Sequence, residues 1–365
     1  MKSRTKELAS VDEDVSKMYH QYTSFRFKKV LAMAALIVVL IIASLYGMSV
    51  GSYPISFTEV YNIIIDHLVH FGEPLTTVDE RVVWDQRMPR LLTGIIAGAG
   101  LAAAGAAMQS MMKNPLADPY TTGISSGASF GAVVAITLGI AIGSIQNTTV
   151  MMAFMFALIP AAVIIMLSTF KKATASMMIL AGISVMYIFN ALTQYMMLVA
   201  DNETMAAAYE WTIGSLGKAS WDNLPIMFVV ATAGSALLVY LSKYLNAMNS
   251  GDNYAKTVGI NVERMRIIIL AIISIIAASI VSFTGIIGFV GLVAPHVARI
   301  FLGSDNRHLI PGSILVGATV IVLCDIVAKM FTTAALPIGI VTSLIGGPVF
   351  LFLIIRQKKE VWRWR

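Results

Sequence analysis

The feature that most constrains this chain is a succession of long apolar runs. From Val30 to near the C-terminus, stretches of about 18 or more nonpolar residues follow one another with short polar breaks between them. In hydrocarbon every backbone N–H and C=O needs an internal partner, so such runs fold as membrane helices. Composition agrees. Of 365 residues, 57% are hydrophobic and 13% charged, against about a quarter charged in a soluble domain. The expected fold class is an all-α membrane protein. Windowed hydropathy predicts about ten transmembrane helices: Val30–Ser49, Leu91–Met112, Thr122–Ile142, Val150–Phe170, Met177–Val199, Leu224–Ser242, Ile267–Thr284, Ile286–Leu302, Pro311–Ala328 and Ala335–Ile355. The eighth carries Pro295, His296 and Arg299 and reads as a short or broken helix.

Charge sets the expected orientation. With the N-terminus inside, 21 of the 26 Lys and Arg residues fall on the cytoplasmic side, and only Arg81, Arg87, Arg90, Lys218 and Lys329 fall outside. By the positive-inside rule both termini are cytoplasmic. Residues 1–29 lack an apolar core and read as a cytoplasmic tail, not a secretory signal. Residues 30–355 form the membrane domain, 243–266 its longest cytoplasmic loop, and 356–365 a cytoplasmic C-terminal tail.

Several features read as packing. Gly94, Gly98, Ala102 and Ala106 place a small residue at every fourth position of the second span, and Ser274, Ala278 and Ser282 repeat the stripe in the seventh. Such stripes let helices approach closely. Cys324 lies alone in an apolar run and reads as a core residue. The clusters Met108, Met111, Met112 and Met151, Met152, Met155 have no His or Cys beside them, so they read as helix filler and not a copper site.

Three lookalikes fail. Gly214-Ser-Leu-Gly-Lys218-Ala219 lacks the first glycine and the Ser or Thr of a phosphate loop. Gly123-Ile-Ser125-Ser-Gly127 opens a membrane span instead of a strand-to-helix elbow. The five histidines make no H-E-x-x-H pair. Asp325 is the serious polar candidate, because an acid inside a span is functional by default. Lys329 lies four residues later on the same face, so an ion pair competes with a proton relay.

Three constellations remain. Arg87-Met88-Pro89-Arg90 opens the second span from outside, where cations oppose the helix dipole. They read either as a surface for an acidic partner or as side chains snorkelling to lipid phosphates. Asn114-Pro-Leu116-Ala-Asp118-Pro119 ends that span with two prolines four apart, which forbids a continuous helix. In the 243–266 loop, Ser250 or Asp252 is placed to cap a short helix through Val258 that Gly259 ends. Tyr254, Ala255 and Val258 then share a face suited to docking a partner.

Together R-M-P-R, G-A-x2-Q-x4-N-P-L-A-D-P, G-I-S-S-G-A-S-F-G-A, the run Gly288–His296, the segment Asp325–Lys329 and L-P-I-G at Leu336–Gly339 resemble the FecCD-type permeases of ABC importers over nearly everything from Val30 onward. The family imports iron–siderophore complexes, haem, cobalamin and, in some members, oxyanions. The resemblance implies a type II ABC importer permease architecture in a prokaryotic plasma (inner) membrane, with ATP hydrolysed by a separate partner and no cofactor. Its expected partners are a second permease subunit, two ABC ATPase subunits, an extracytoplasmic substrate-binding protein and lipid. It further implies binding-protein docking at Arg87, Arg90 and Lys329, a cytoplasmic gate at Asn114, Leu116, Ala175 and Ser176, and ATPase coupling through Gly251, Ala255 and Gly259. Lys329 stands where a relative has Arg, and Tyr254 where relatives commonly carry an acid. The alternative function is a proton-coupled secondary transporter using Asp325; a hydrolase built on Ser125 is a distant third.

Overall fold

A computed structural model describes residues 27–70, 76–171, 174–331 and 336–356. Most of the predicted N- and C-terminal tails, together with Lys172 and the expected start of the last span at Ala335, lies outside the described residues. The described chain is helical: α1 Phe27–Ser49, α2 Phe57–Val69, α3 Val78–Met112, α4 Ile124–Thr137, α5 Ile145–Lys171, α6 Ala175–Val199, α7 Asn202–Ile213, α8 Leu224–Tyr240, α9 Ser242–Asn249, α10 Asp252–Thr257, α11 Val262–Thr284, α12 Val290–Leu302, α13 Asn306–Phe331 and α14 Ile338–Arg356. Each of the ten predicted spans overlaps one of these helices. Six of them (α1, α3, α5, α6, α11 and α13) are long and apolar enough to cross a membrane, and α8 with α9 makes a seventh bent by 55°. The remaining three, α4, α12 and α14, are shorter apolar helices. Below, the end of the bundle where α3 starts is called outer and the end where it finishes inner, following the charge count.

α3 is the central helix. Most of its apolar window is buried, whereas α1 and α6 are largely exposed. The small-residue stripe explains how α3 admits so many neighbours. A Cβ added at Gly98 would stand 2.3 Å from the Gly317 carbonyl oxygen of α13, and one at Gly317 would stand 2.3 Å from the Gly98 oxygen. The two backbones touch, which only glycine at both positions permits. Further along, Gly105 meets the Gly291 carbonyl of α12 in the same way. Met108, Met111 and Met112 fill the surrounding core and Cys324 is buried beside it, as expected, while Met151 and Met155 face outward.

Several elements depart from the hydropathy reading. α3 begins at Val78, well before Leu91, at a capping box in which the Thr77 hydroxyl accepts from Glu80 N and the Glu80 carboxylate accepts from Thr77 N. The R-M-P-R segment is therefore inside a helix, not at its start. Pro89 has no N–H to offer the carbonyl four residues back, and the preceding turn widens into a π-helix over Val82–Arg87, with Met88 N donating to Val83 O. The expected dipole conflict at Arg87 and Arg90 does not arise. α2 and α7 were not anticipated, because each is too short and polar for a hydropathy window. Their N-caps, Ser56 and Asp201, were the available signal.

The eighth span is short, as its composition suggested, and α12 runs unbroken through Pro295 from Val290 to Leu302. Residues 285–289 leave the helix between α11 and α12, and Phe289 adopts a left-handed φ of 68°. Here three chain segments meet backbone to backbone. Ser215 N donates to Thr284 O at 2.7 Å and Gly339 N to Gly214 O at 3.2 Å. A Cβ on Gly339 would fall 1.8 Å from Ile213 O, which accounts for the glycine of L-P-I-G.

Candidate functional site

Two places combine exposed backbone breaks with charged side chains, one at each end of α3. At the outer end a depression of about 350 Å³ is lined by Tyr53, Asp85, Gln86, Arg87, Arg90 and Lys329, among others. The three basic residues singled out in the sequence do converge here. Their donors, however, are largely committed within the chain. Arg87 is only 5% exposed, and its guanidinium donates to the carbonyls of Met48 (2.9 Å), Ser49 (3.4 Å) and Tyr53 (2.5 Å). Lys329 Nζ donates to Gly47 O at 3.3 Å. Carbonyls 47–49 are orphans of the last turn of α1, so Arg87 and Lys329 cap that helix from α3 and α13, where cations suit the dipole.

Asp325 completes the cluster. Its Oδ2 pairs with Lys329 Nζ at 2.8 Å and its Oδ1 accepts from Arg90 Nε at 2.8 Å. The expected i, i+4 ion pair is present. The sequence had no means of showing the second cation, 235 residues away. Both oxygens are engaged by cations of the same chain, which does not favour a role for this acid in a proton relay. Within the chain, Arg87 is buried against α1 and Arg90 is paired with Asp325. With Asp85 counted beside Asp325, the three cations leave one positive charge in excess at the depression. Its far wall, the 215–219 loop, is fastened to α3 by Trp221, whose Nε1 donates to Trp84 O at 2.9 Å while the two rings stack.

At the inner end, Lys113 terminates α3 in a left-handed conformation (φ 50°, ψ 36°). The Asn114 side chain accepts from Leu116 N at 3.0 Å, Asp118 caps a single 3-10 turn over Pro119–Thr122, and Gly123 at φ 90° starts α4. The two prolines thus do what their spacing required. Asn114 is half-buried and Leu116 exposed. Asp118 is buried, and burial pushes its carboxyl up to about 6 against the opposing hydrogen bond from Tyr120 N. Ala175 and Ser176 form the first turn of α6, half-buried and exposed respectively. α6 packs near the same turn, since a Cβ on Gly182 would meet Thr122 Cα at 2.7 Å.

Beside this turn lies the short helix anticipated in the 243–266 loop, now α10. Its N-cap is Gly251 (φ 130°), not Ser250 or Asp252, because the Asp252 carboxylate is drawn aside to Lys113 (2.6 Å) and Arg266 (2.8 Å). Gly259 (φ 83°) follows its end in the expected left-handed conformation. Ala255 was expected on the docking face. It is 0% exposed and packs into the bundle, while Tyr254 and Val258 are exposed at 53% and 52%. Those two side chains, with Lys243, Tyr244 and Arg307, line an open inner groove.

A polar network missed by the sequence reading ties this end together. Ser110 Oγ donates to Asn306 Oδ1, Asn306 Nδ2 donates to Asn246 Oδ1, and Asn246 Nδ2 donates to Asp305 Oδ1, at 2.8, 2.8 and 2.7 Å. Burial opposes ionisation of Asp305, but its bonds from Arg307 and Asn246 hold it down at about 2. Gln109 donates to Leu292 O and accepts from Arg299 Nη2.

The FecCD transport family model matches residues 36–356. The chain belongs to the FecCD transport family. Among curated relatives, the hemin transport system permease protein of Yersinia pestis is 31% identical over 335 residues, covering 90% of this chain and 97% of its own. The cobalamin import system permease protein of Halobacterium salinarum is 37% identical over 288 residues, covering 78% and 76%. A solved metal-chelate type ABC transporter in an inward-facing conformation superposes with a TM-score of 0.79 at 29% identity, covering 89% of this chain and 99% of that one. Members of the FecCD family are permease subunits of ABC transporters, not enzymes, and this FecCD chain is a multi-pass protein of a prokaryotic plasma membrane.

An expectation follows for α10 of this permease. Asp at Tyr254 or Val258 should abolish co-purification with a partner ATPase while the permease still folds, because both side chains are solvent-facing. Ala255→Trp should instead lower folded yield, since its side chain enters a filled core. Equal co-purification by all three variants would contradict this assignment of faces.

Proposed function

We propose that this chain is the transmembrane subunit of an ATP-driven importer for a metal-chelate substrate of the iron–siderophore, haem or cobalamin kind. Two permease copies, or this chain and a similar one, would form the pathway, with two ATPases beneath and an extracytoplasmic binding protein above. The observation that carries the reading is the inner end: a short glycine-flanked helix, α10, exposes Tyr254 and Val258 and is paired through Asp252 to Lys113, next to the Asn114–Leu116 turn. That arrangement suits a subunit whose motion is driven by a partner beneath it. Relatives named for hemin and cobalamin transport support the substrate class. The outer depression, with its excess of positive charge, suits a carboxylate of the binding protein. The Asp325-based proton-coupled reading is not favoured, because that carboxylate is held between Arg90 and Lys329.

The test is uptake into proteoliposomes carrying the permease, its ATPase and its binding protein, with cyanocobalamin, hemin and ferric citrate as probes. Transport of at least one is expected to need internal ATP and to persist with a protonophore present. Uptake that continues without ATP, or collapses with the protonophore while ATP is supplied, would overturn the proposal.

A further inference from the structure

We infer that the Lys113–Asp252 ion pair is the link through which movement of α10 reaches the Asn114–Leu116 turn. This inference rests on the proposed function and assigns Lys113, for which the sequence suggested no role, and Asp252, which it offered only as a helix cap.

α10 is a short helix set between two glycines. Gly251 and Gly259 flank it at φ 130° and 83°, and a Cβ at either position would meet nothing within 4 Å. These are hinge positions with open space around them. The neighbouring α9 is pinned: Asn246 is bonded to Asp305 and Asn306, and Asn306 to Ser110 of α3. Motion applied to the exposed Tyr254 and Val258 is therefore taken up by rotation about the two glycines, not by displacement of α9.

Such rotation reaches the rest of the bundle through Asp252, the first residue of α10. Its Oδ1 holds Lys113 at 2.6 Å, and Arg266 Nη2 of α11 donates to both oxygens, at 3.0 and 2.8 Å. Although burial works the other way, these two cations keep the Asp252 carboxyl below the usual carboxylate range. Arg266 is anchored in the bundle with its side chain 6% exposed, whereas Lys113 sits at the free end of α3. Lys113 is also one of two non-glycine residues with positive φ among the described residues. A side chain disfavours that conformation, and such outliers gather where a segment has two arrangements to choose between. The next residue is Asn114, whose side chain and carbonyl fold the turn by accepting from Leu116 N and Ala117 N. A pull on Lys113 is thus a pull on the first residue of the turn. At 27% and 36% exposure the pair is too wet to matter much for stability, so its effect should appear in coupling.

The test reads the turn directly. Cys324 is the only cysteine and is buried, so Cys324→Ala supplies a clean background for Leu116→Cys, whose native side chain is exposed. Maleimide labelling of that cysteine is measured in the complex with the partner ATPase, without nucleotide and after trapping with Mg-ATP and vanadate. With Lys113 intact, trapping should change the labelling rate by about tenfold, an ordinary magnitude for coupled sites. With Lys113→Met the change should fall to under about twofold, while the ATPase stays bound and hydrolyses ATP. Lys113→Arg should keep the response and Asp252→Asn should lose it. A full response in Lys113→Met, or none with Lys113 intact, overturns the inference while leaving the importer reading standing. Failure of any ATPase to bind the unmodified permease overturns that reading, and the inference with it.

Discussion

Asp325→Leu is expected to leave little folded protein in detergent extracts, the largest loss of any single substitution considered. The carboxylate takes one bond from Arg90 Nε and one from Lys329 Nζ, in a site where its own side chain is 5% exposed and theirs are 17% and 6%. Removing the acid strands two cations in low dielectric. Breaking a buried pair in this way costs about 3–5 kcal/mol, a large part of the ~5–15 kcal/mol that holds a typical domain together. The damage should spread to α1, because Lys329 and Arg87 also cap its last carbonyls. Combining Asp325→Leu with Arg90→Leu and Lys329→Met should recover part of the yield, since no charge is then left unpaired. The measurement is the monodisperse fraction on size exclusion after solubilisation. Wild-type yield from Asp325→Leu alone would show that the triad is not structural. By the same contacts, reversing Arg87 and Arg90 to Glu should reduce folded yield before any docking is affected. The acids would face three carbonyls in one case and Asp325 in the other.

Gly98→Ala is expected to be nearly as damaging, although it adds one methyl group. Its Cβ would lie 2.3 Å from the Gly317 oxygen and 2.9 Å from Ala318 Cα, so the obstruction is backbone on a packed helix and not a movable side chain. Relief requires α3 and α13 to separate along a seam that depends on close approach. Overpacking of this kind typically costs about 1–3 kcal/mol and is worst where nothing relaxes. Gly94→Ala, one turn away on the same stripe, is the internal control. There the new methyl meets only side-chain methyls, Ile321 Cγ2 and Leu216 Cδ1, at 3.1 and 3.2 Å, and no backbone. Thermal unfolding of the purified permeases should show a clear drop for Gly98→Ala and a small one for Gly94→Ala. Equal shifts would mean that the α3–α13 seam has room to open.

What the sequence determined by itself is whatever depends on neighbours within a few turns. Ten apolar segments each coincide with a helix, since hydrocarbon forces every such run to satisfy its own backbone. The proline pair at 115 and 119 keeps α3 and α4 apart, and the glycine after α10 follows its end, because those residues restrict φ and hydrogen bonding locally. The family motifs were legible for the same reason. What only the tertiary structure decided is which side chains are already spoken for. Arg87 reaches carbonyls 34 to 39 residues away, and Arg90 reaches an acid 235 away. No periodicity or motif records such a partner, and only the structure shows that Arg87, Arg90 and Lys329 also hold α1, α3 and α13 together. Ala255 illustrates the limit at short range. Its helix was readable, but the face turned inward depends on how the Asp252 carboxylate is pulled between Lys113 and Arg266, groups that lie on two other helices.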